Sequence, residues 1–431
     1  MALTGDFEVV RDPLWNNIRI DARALGVVDS APFQRLRYVR QLGHAYLVYP
    51  GATHSRFEHA LGAYHLAGRT LSLLGERGEL QELPPDTVPL VRLAALLHDI
   101  GHYPFSHALE EAGLPSHESL AAQHLGHPEL RAALDAFGIP DVQERIVALI
   151  CGRSDAPLQG LVAGSLDLDK IEYLTRDARM CGVPYGTVDV DRLLHSTTLV
   201  TDAEGRLRVG VHEKGVSALE SLLFAKYQMY RNVYWHHGVR SATAMFKRLV
   251  RTALAAGHLA AADLAESTDE SLMEAVRGFA GSGLQGRLRR RQLYKRALDL
   301  RAAELPAGSG EWVGRRPDLL ERVENRLAAE LGLAPGAILL DFPAKPEMLA
   351  VDLPMRMRDD RIERLDAADR MGLVGIHRIA DELHLSARRL RVFVAEPVAV
   401  DRTAMVGVVE RSAAEIERDL ASGAEMLVRP G

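Results

Sequence analysis

The sequence has 431 residues, of which 47% are hydrophobic and 26% charged, and its formal net charge is -6. This composition is typical of a soluble globular protein with two or three domains. Two cysteines are too few for a disulfide framework or a thiolate zinc cluster, and the negative charge argues against a protein that coats nucleic acid. With no signal-like N-terminus and no apolar run of about eighteen residues, we expect a cytoplasmic protein without a membrane span.

The first segments lead to a pair of histidines. Residues 7–20 are predicted to be extended, with a turn at Asp12-Pro13. The segment Phe33–Leu42 has apolar residues at helical spacing and basic residues between them, which predicts an amphipathic helix whose charged face is either solvated or functional. A turn at residues 49–53 then leads into His54-Ser55-Arg56-Phe57-Glu58-His59, which we place on the next helix.

The central motif is His98-Asp99-Ile100-Gly101-His102, at the end of an apolar helical run that Asp86 or Thr87 is predicted to cap. A His-Asp dipeptide arises by chance roughly once in a chain of this length, so its neighbours decide its meaning. Histidines upstream and the Asp167-Leu168-Asp169-Lys170 run downstream let three helices converge on one cation. Spacing alone leaves open which histidine of the upstream pair, and which aspartate of the downstream pair, is a ligand.

A site of imidazole and carboxylate groups suits Mn, Fe, Zn, Ni or Mg. His117 lies in the loop after the central helix and is able to reach the same pocket, although alone it reads as an ordinary helix-start residue. The helix predicted from Asp167 to Ala178 places Asp169, Tyr173 and Arg176 on roughly one face.

The second half of the chain is predicted to be helical and then mixed. A hairpin is expected near residues 198–210, followed by one long helix over Gly215–Ala255. Residues 256–335 read as a helical extension whose basic run, Arg287–Arg296, is either a solvated helix face or a phosphate grip. Beyond Pro335-Gly336 a small α+β domain is predicted, with strands at 338–343, 348–353 and 390–394. The predicted fold is therefore mainly α, with a helical core over residues 1–255, the extension over 256–335 and the α+β domain over 336–431.

The order of His59, His98-Asp99 and Asp169 resembles the HD metal-dependent phosphohydrolase superfamily. The closer resemblance is to its deoxynucleoside triphosphate triphosphohydrolase branch, which includes the SAM-and-HD-domain proteins; we expect no SAM-like module here. The resemblance covers about residues 8–300 and implies an HD helical core. The motifs that carry it are Phe-Gln-Arg-Leu-Arg, Gln-Leu-Gly, Pro-Gly-Ala-Thr-His-Ser-Arg-Phe-Glu-His, His-Asp-Ile-Gly-His-Tyr-Pro-Phe-Ser-His and Asp-Leu-Asp-Lys-Ile-Glu-Tyr.

The resemblance assigns roles to particular residues. It implies that the metal ligands are His59, His98, Asp99 and Asp169. It implies a substrate pocket formed by Gln41, Leu42, Arg56, Lys170, Tyr173, Asp177, Lys226 and Tyr234. Within it, Gln41 and Asp177 are expected near the sugar 3'-hydroxyl and Tyr234 against the deoxyribose. Lys226 stands where the family has an arginine, which keeps the charge but loses a bidentate fork.

The implied reaction releases a nucleoside and intact triphosphate. A metal acidifies water and polarises a phosphate oxygen, while Arg56 and Lys170 neutralise charge in the transition state. His102, His107 and His117 match the histidines beside the scissile phosphate. His107 or His117 is the candidate acid for the 5'-oxygen.

The resemblance also implies a nucleotide effector, GTP or a dNTP, bound where subunits meet in a homo-oligomer such as a tetramer. The matching positions are Asp29, Gln34, Arg37, Arg291 and Lys295. The segment Asp12–Asn16 departs from the family pattern at that site.

Two other functions compete with a dNTP triphosphohydrolase. One is an HD phosphohydrolase that acts on nucleoside monophosphates or cyclic nucleotides. The other is a nucleotide- or nucleic-acid-binding regulator with a structural metal, whose nucleic-acid version the negative net charge disfavours.

Overall fold

The structure is a computed structural model that describes residues 7–202, 204–279, 283–344, 351–365 and 376–428. Its strands are β1 (Phe7–Asp12), β2 (Asn16–Asp21), β3 (Thr197–Thr201), β4 (Leu207–His212), β5 (Lys295–Arg301), β6 (Ile338–Asp341), β7 (Leu353–Arg356), β8 (Ile362–Leu365) and β9 (Arg389–Val394).

Helices make up most of the described chain and confirm the mainly α prediction. They are α1 (Ala22–Val28), α2 (Ala31–Arg35), α3 (Arg56–Glu76), α4 (Thr87–Leu97), α5 (His117–Leu125), α6 (Pro128–Asp135), α7 (Val142–Ile150), α8 (Gln159–Val162), α9 (Leu168–Cys181), α10 (Val190–Ser196), α11 (Val216–Met229), α12 (His237–Ala255), α13 (Ala261–Glu266), α14 (Asp269–Ala275), α15 (Gly283–Arg289), α16 (Glu311–Arg315), α17 (Pro317–Glu330), α18 (Ile376–Ala387), α19 (Arg402–Glu410) and α20 (Ala413–Ser422). None of the helices described is long and apolar enough to cross a membrane.

The N-terminal segment is extended as predicted: β1 and β2 form an antiparallel hairpin. The helix predicted over Phe33–Leu42 is wrong beyond its first three residues, since α2 ends at Arg35 and one 3-10 turn follows it. The backbone then pairs with the start of α3, where Arg56 N–H donates to Val39 O and Gln41 N–H donates to His54 O. These tertiary hydrogen bonds replace the ones that a longer helix would have formed.

Helix α3 packs against both α4 and α9 within the largest hydrophobic cluster. A capping box of Ser55 and Glu58 starts α3. Where α3 meets α9, a Cβ at Gly62 would lie 1.9 Å from Glu172 Oε1, so only glycine permits this approach. The packing brings the first turns of α3 and α9 to the end of α4.

The single helix predicted over Gly215–Ala255 is wrong, because the chain forms α11, a π-helical turn over Tyr230–Tyr234, and α12. The Trp235 N–H donates to Tyr230 O, five residues back, at 2.8 Å. A π turn inserts one extra residue and changes the direction of the side chains that follow. The break therefore sets the orientation of Tyr234.

The predicted hairpin is present as β3 and β4. Strands from distant parts of the chain join it in one sheet and form a second sheet with one another. One sheet has the order β3-β4-β7-β8, and a second has the order β5-β9-β6. The predicted strands at 338–343 and 390–394 appear as β6 and β9. The strand predicted at 348–353 is wrong at residues 351–352, since β7 begins at Leu353, and its residues 348–350 lie outside the described residues. The pairing crosses the limits of the predicted domains, and the domain division stays a prediction.

The basic run over Arg287–Arg296 is not one helix. Helix α15 ends at Arg289, Arg291 has a positive φ of 56°, and β5 begins at Lys295. Pairing of β5 with β9 draws the last residues of the run into a sheet.

Candidate metal centre

Four side chains meet at one point: one from α3, two from the residues that follow α4, and one from α9. His59 Nε2 lies 3.1 Å from His98 Nε2, 3.0 Å from Asp169 Oδ1 and 3.5 Å from Asp99 Oδ2. His98 Nε2 lies 3.4 Å from both Asp99 Oδ1 and Asp169 Oδ1. Atoms that ligate one cation at about 2.1 Å are roughly 3 Å apart. The donor set and its spacing therefore fit a divalent cation, as the sequence predicted.

The cluster is closed on one side and open on the other. The side chains of His59 and Asp99 are 0% and 3% exposed, whereas that of Asp169 is 33% exposed. Asp169 therefore lies on the side of the cluster that is open to solvent.

Neighbouring groups fix the orientation of the ligands. Glu172 Oε2 lies 2.6 Å from His59 Nδ1, and the carbonyl oxygen of Ala95 lies 2.9 Å from His98 Nδ1. Both acceptors favour a proton on Nδ1, which leaves each Nε2 free to ligate. Arg56 Nη1 donates to Asp99 Oδ2 at 2.5 Å.

The electrostatics of the cluster favour positive charge at its centre. Burial lowers the pKa of His59, but hydrogen bonds with Asp169 and Glu172 outweigh it and raise that pKa to about 10. Burial raises the pKa of Asp99, but the Arg56 guanidinium and His102 hold it well below its usual range. A bound cation would take the place of the protons that this negative charge retains.

The structure separates the residues between which the sequence did not choose. His54 is buried away from the cluster, with its Nε2 2.8 Å from Asp177 Oδ1. Asp167 caps α9 by accepting from the Lys170 N–H at 2.9 Å, and it also pairs with the Lys170 ammonium group. His59 and Asp169 are thus the members of each pair that face the cluster.

A second group of histidines adjoins the first. The rings of His102 and His117 are 3.7 Å apart between centroids, and those of His102 and His107 are 5.0 Å apart. Glu110 accepts at 2.7 Å from His117 Nδ1 and at 3.0 Å from His107 Nδ1. A Cβ at Gly101 would lie 2.2 Å from His117 O, so this glycine lets α5 approach the loop. The three predicted histidines are brought together, and Glu110, which the sequence analysis missed, joins two of them.

The predicted sugar side lies along α9. Tyr234 donates its hydroxyl to Asp177 Oδ2 at 2.7 Å, and its ring contacts that of Tyr173 at 6.4 Å between centroids. Gln41 is buried, its N–H donates to His54 O at 3.0 Å, and Arg56 Nη2 donates to Gln41 O at 3.4 Å. Asp169, Tyr173 and Asp177 follow one another at spacings of four residues and so share one face of α9.

The roles of the remaining predicted site residues stay predictions. Leu42 is partly buried against the core, and Lys226 is buried on α11. Arg37 Nε donates to Gln34 Oε1, Asp29 follows the last turn of α1, and Lys295 is exposed. The Arg291 Nε–H donates to Leu47 O at 2.5 Å.

Sequence reasoning also missed a chain of contacts behind the cluster. Trp15 Nε1 donates to Glu172 Oε1 at 2.9 Å, and Arg176 joins Glu172 to Asp12. The N-terminal hairpin thereby supports the residue that holds His59. The position of Glu172, three residues after Asp169 on the same helix, is the sequence signal by which it could have been identified.

Comparisons with known proteins agree with this geometry. Residues 56–172 match the model of the HD domain, and residues 188–399 match that of the HD associated region. An uncharacterized protein of Methanocaldococcus jannaschii is 34% identical over 361 residues, which are 83% of this chain and 74% of that protein. The deoxynucleoside triphosphate triphosphohydrolase SAMHD1 of Homo sapiens is 28% identical over 265 residues, which are 53% of this chain and 42% of that enzyme.

The fold also has a counterpart among solved structures. The crystal structure of a phosphohydrolase from Bacteroides thetaiotaomicron superposes with a TM-score of 0.71 at 21% identity, over 90% of this chain and 100% of that one.

Proposed function

Because this chain belongs to the HD-domain family of metal-dependent phosphohydrolases, we propose that it hydrolyses deoxynucleoside triphosphates to a deoxynucleoside and triphosphate. The observation that carries this proposal is the arrangement of α9. Asp169, at the start of the helix, faces the metal cluster. Asp177, two turns later, is a fixed acceptor between Tyr234 and His54. We therefore expect the triphosphate to bind near the start of α9 and the sugar to bind near Asp177.

The four side chains of the cluster would hold the cation, which when bound supplies Lewis acidity for attack by water at the α-phosphorus. Asp99 and Ser106 hold Arg56 next to the cluster, so its charge would lie beside a phosphate bound to the cation. As the bond from phosphorus to the 5'-oxygen breaks, that oxygen takes a proton from His117 or His107. Glu110 fixes both rings for this transfer.

The test is product analysis. The purified protein is incubated with each dNTP singly and in pairs, with Mn²⁺ or Mg²⁺, and products are separated by chromatography. We expect deoxynucleoside and intact triphosphate in equal amounts. Hydrolysis of nucleoside monophosphates or cyclic nucleotides, with dNTPs left intact, would contradict the proposal and favour a different HD phosphohydrolase.

We predict that dATP is hydrolysed at least about tenfold faster than ATP, since a 2'-hydroxyl would need room and a partner beside the Tyr234 ring. Asp177 holds this ring from one side and Tyr230 packs against it at 5.0 Å between centroids. The rates of both nucleotides are measured for the wild type, Tyr234→Phe and Tyr234→Ala. The phenylalanine variant should keep the preference and the alanine variant should lose it. Equal rates on ATP and dATP in the wild type would refute the pocket.

We also predict that a nucleotide effector drives assembly through Arg291 and Lys295. Both side chains are exposed, and phosphate groups would neutralise the charge that otherwise opposes a subunit contact. In the presence of GTP or a dNTP, sedimentation should show a larger species and turnover should rise for the wild type, but not for an Arg291→Glu, Lys295→Glu variant.

The matched control makes the same charge change at exposed Arg322 and Arg418. It should behave as the wild type does. If the first variant assembles and turns over like the wild type in every condition, these residues are solvated surface and the effector prediction fails.

A further inference from the structure

The loop that carries the second histidine group contains a strained turn. Phe105 has φ 57° and ψ 26°, and Ser106 has φ 60°, so two successive residues with side chains adopt the left-handed conformation. Each such residue costs roughly 1–2 kcal/mol. Contacts from elsewhere in the fold must therefore hold this turn in place.

Asp269, the first residue of α14, supplies one such contact. Its Oδ1 accepts from the Phe105 N–H at 2.8 Å. Its Oδ2 accepts from the backbone N–H of Arg40 and from Arg40 Nη1, both at 3.2 Å. The residue is 2% exposed. We call the segment between α4 and α5, which carries His102 and His107, the histidine loop. A single buried carboxylate thus joins the histidine loop to the loop that leads into Gln41.

The same two loops also touch through the strained turn itself. Ser106 Oγ lies 2.7 Å from Arg40 O and 2.9 Å from Gln41 O, and it accepts from Arg56 Nε at 3.1 Å. A Cβ at Gly43 would lie 2.8 Å from Phe105 O. Any shift of the turn would therefore be passed to Gln41 on one side and to Arg56 on the other.

The backbone just before α14 holds the histidine loop at a second point. Buried Arg35 donates to Ser267 O at 3.0 Å, and its other nitrogen donates to Ile100 O and His102 O, both at 2.9 Å. Residues 267–269 thus hold the start of the loop through Arg35 and its strained turn through the direct contact of Asp269 with Phe105. These residues lie within the HD associated region, outside the segment that matches the HD domain.

We propose that Asp269 is a positioning residue through which the associated region sets the spacing between the sugar-side loop at Gln41 and the histidine loop at Phe105. It touches no residue of the metal cluster and none of the three histidines, so it acts only through the two loops it joins. Its effect on turnover rests on the proposed function, whereas its effect on the loops does not.

These contacts of Asp269 with Phe105 and Arg40, which we call the clamp, depend on an ionised carboxyl group. Three N–H groups point at its two oxygens, and the O–H of a neutral carboxyl would add a fourth hydrogen at the same place. Burial raises the pKa of Asp269 to about 6, although the Phe105 N–H and Arg40 oppose the shift. Arg35 and Tyr46 also interact electrostatically with Asp269. Beyond them, Glu266 faces Arg35, and Arg289 and Glu270 face Tyr46.

As the pH falls, protonation of Asp269 should stabilise the folded state but lower the activity. A carboxyl whose pKa is higher in the folded than in the unfolded state binds a proton in the folded state first, so this group adds stability as the pH falls through 6 towards 4. Protonation of Asp269 should therefore weaken the clamp without unfolding the protein.

The first test is hydrogen–deuterium exchange of the full chain at pH 8. In Asp269→Asn, the amide presents a donor where the carboxylate accepted, so peptides that contain Arg40 and Phe105 should exchange about tenfold faster or more. The control Glu270→Gln removes an exposed carboxylate one residue along α14 and should leave these peptides unchanged. Unchanged exchange in Asp269→Asn would overturn the proposal, whatever the protein hydrolyses.

The second test is the pH dependence of kcat/KM for a dNTP. At pH 8 the wild type should exceed Asp269→Asn by about tenfold to a hundredfold, since small misplacements of aligned groups cost this much. At pH 5 the two should converge, because the wild-type carboxyl is then neutral, and metal content should not differ. A ratio that stays constant with pH would mean that the charge on Asp269 has no positioning role.

Discussion

Replacing Asp169 by alanine is expected to remove the bound divalent metal and to lower dNTP turnover by about a thousandfold or more. A bound cation contributes several kcal/mol of transition-state stabilisation, and each 1.36 kcal/mol is a factor of ten. Asp169 Oδ1 lies 3.0 Å from His59 Nε2 and 3.4 Å from His98 Nε2. Asp99, the other carboxylate of the cluster, is already paired with Arg56. His98→Ala should have the same effect.

The measurement is metal content by elemental analysis, together with turnover. His54→Ala is the matched control, because His54 is as buried as His59 but contacts Asp177. It should retain the metal. Glu172→Gln should fall between the two, with metal affinity reduced about tenfold to a hundredfold, since this carboxylate orients His59 from behind. Loss of metal from the His54 variant with retention in a His59→Ala variant would reverse the ligand assignment.

The second large effect is expected at the histidines beside the cluster. His117→Ala or His107→Ala, whichever removes the proton donor, should lower kcat by about 10²- to 10⁴-fold with the metal retained. Glu110→Gln should lower kcat through both rings at once, because its two oxygens hold His107 Nδ1 and His117 Nδ1.

Turnover of all three variants is compared at equal metal content. The variant with the larger fall in kcat identifies the donor, and a substrate with a better leaving group should restore much of its rate. If all three turn over dNTPs at the wild-type rate, these side chains have no part in the reaction.

Two elements outside the site contact residues that position it. The hairpin residue Trp15 contacts Glu172, which contacts His59, and Asp269 contacts both loops of the pocket. A variant in the hairpin or in α14 can therefore change activity without touching the substrate. Metal content and hydrogen exchange separate the two routes, since the first reports on the hairpin side and the second on the α14 side.

Local sequence determined the features that depend on neighbouring residues. The apolar run before His98-Asp99 predicted a helix that ends at the ligands, and the β-branched runs predicted β3, β6 and β9. Helical periodicity and alternation record which face of an element is buried, and this is a property of the chain itself. The kind of metal site also followed from residue types, because imidazole and carboxylate ligands are chemically distinctive.

Tertiary structure alone decided between residues that look alike in sequence. His54 and His59 differ because α3 begins between them, so that one faces Asp177 and the other faces His98. The breaks at Val39 and Trp235 arise from backbone hydrogen bonds and a π turn, and helical periodicity continues through both. The roles of Glu110 and Asp269 required the folded chain, since Asp269 meets Phe105 across 164 positions. Contacts at such separations depend on how helices pack, which no local pattern of residues records.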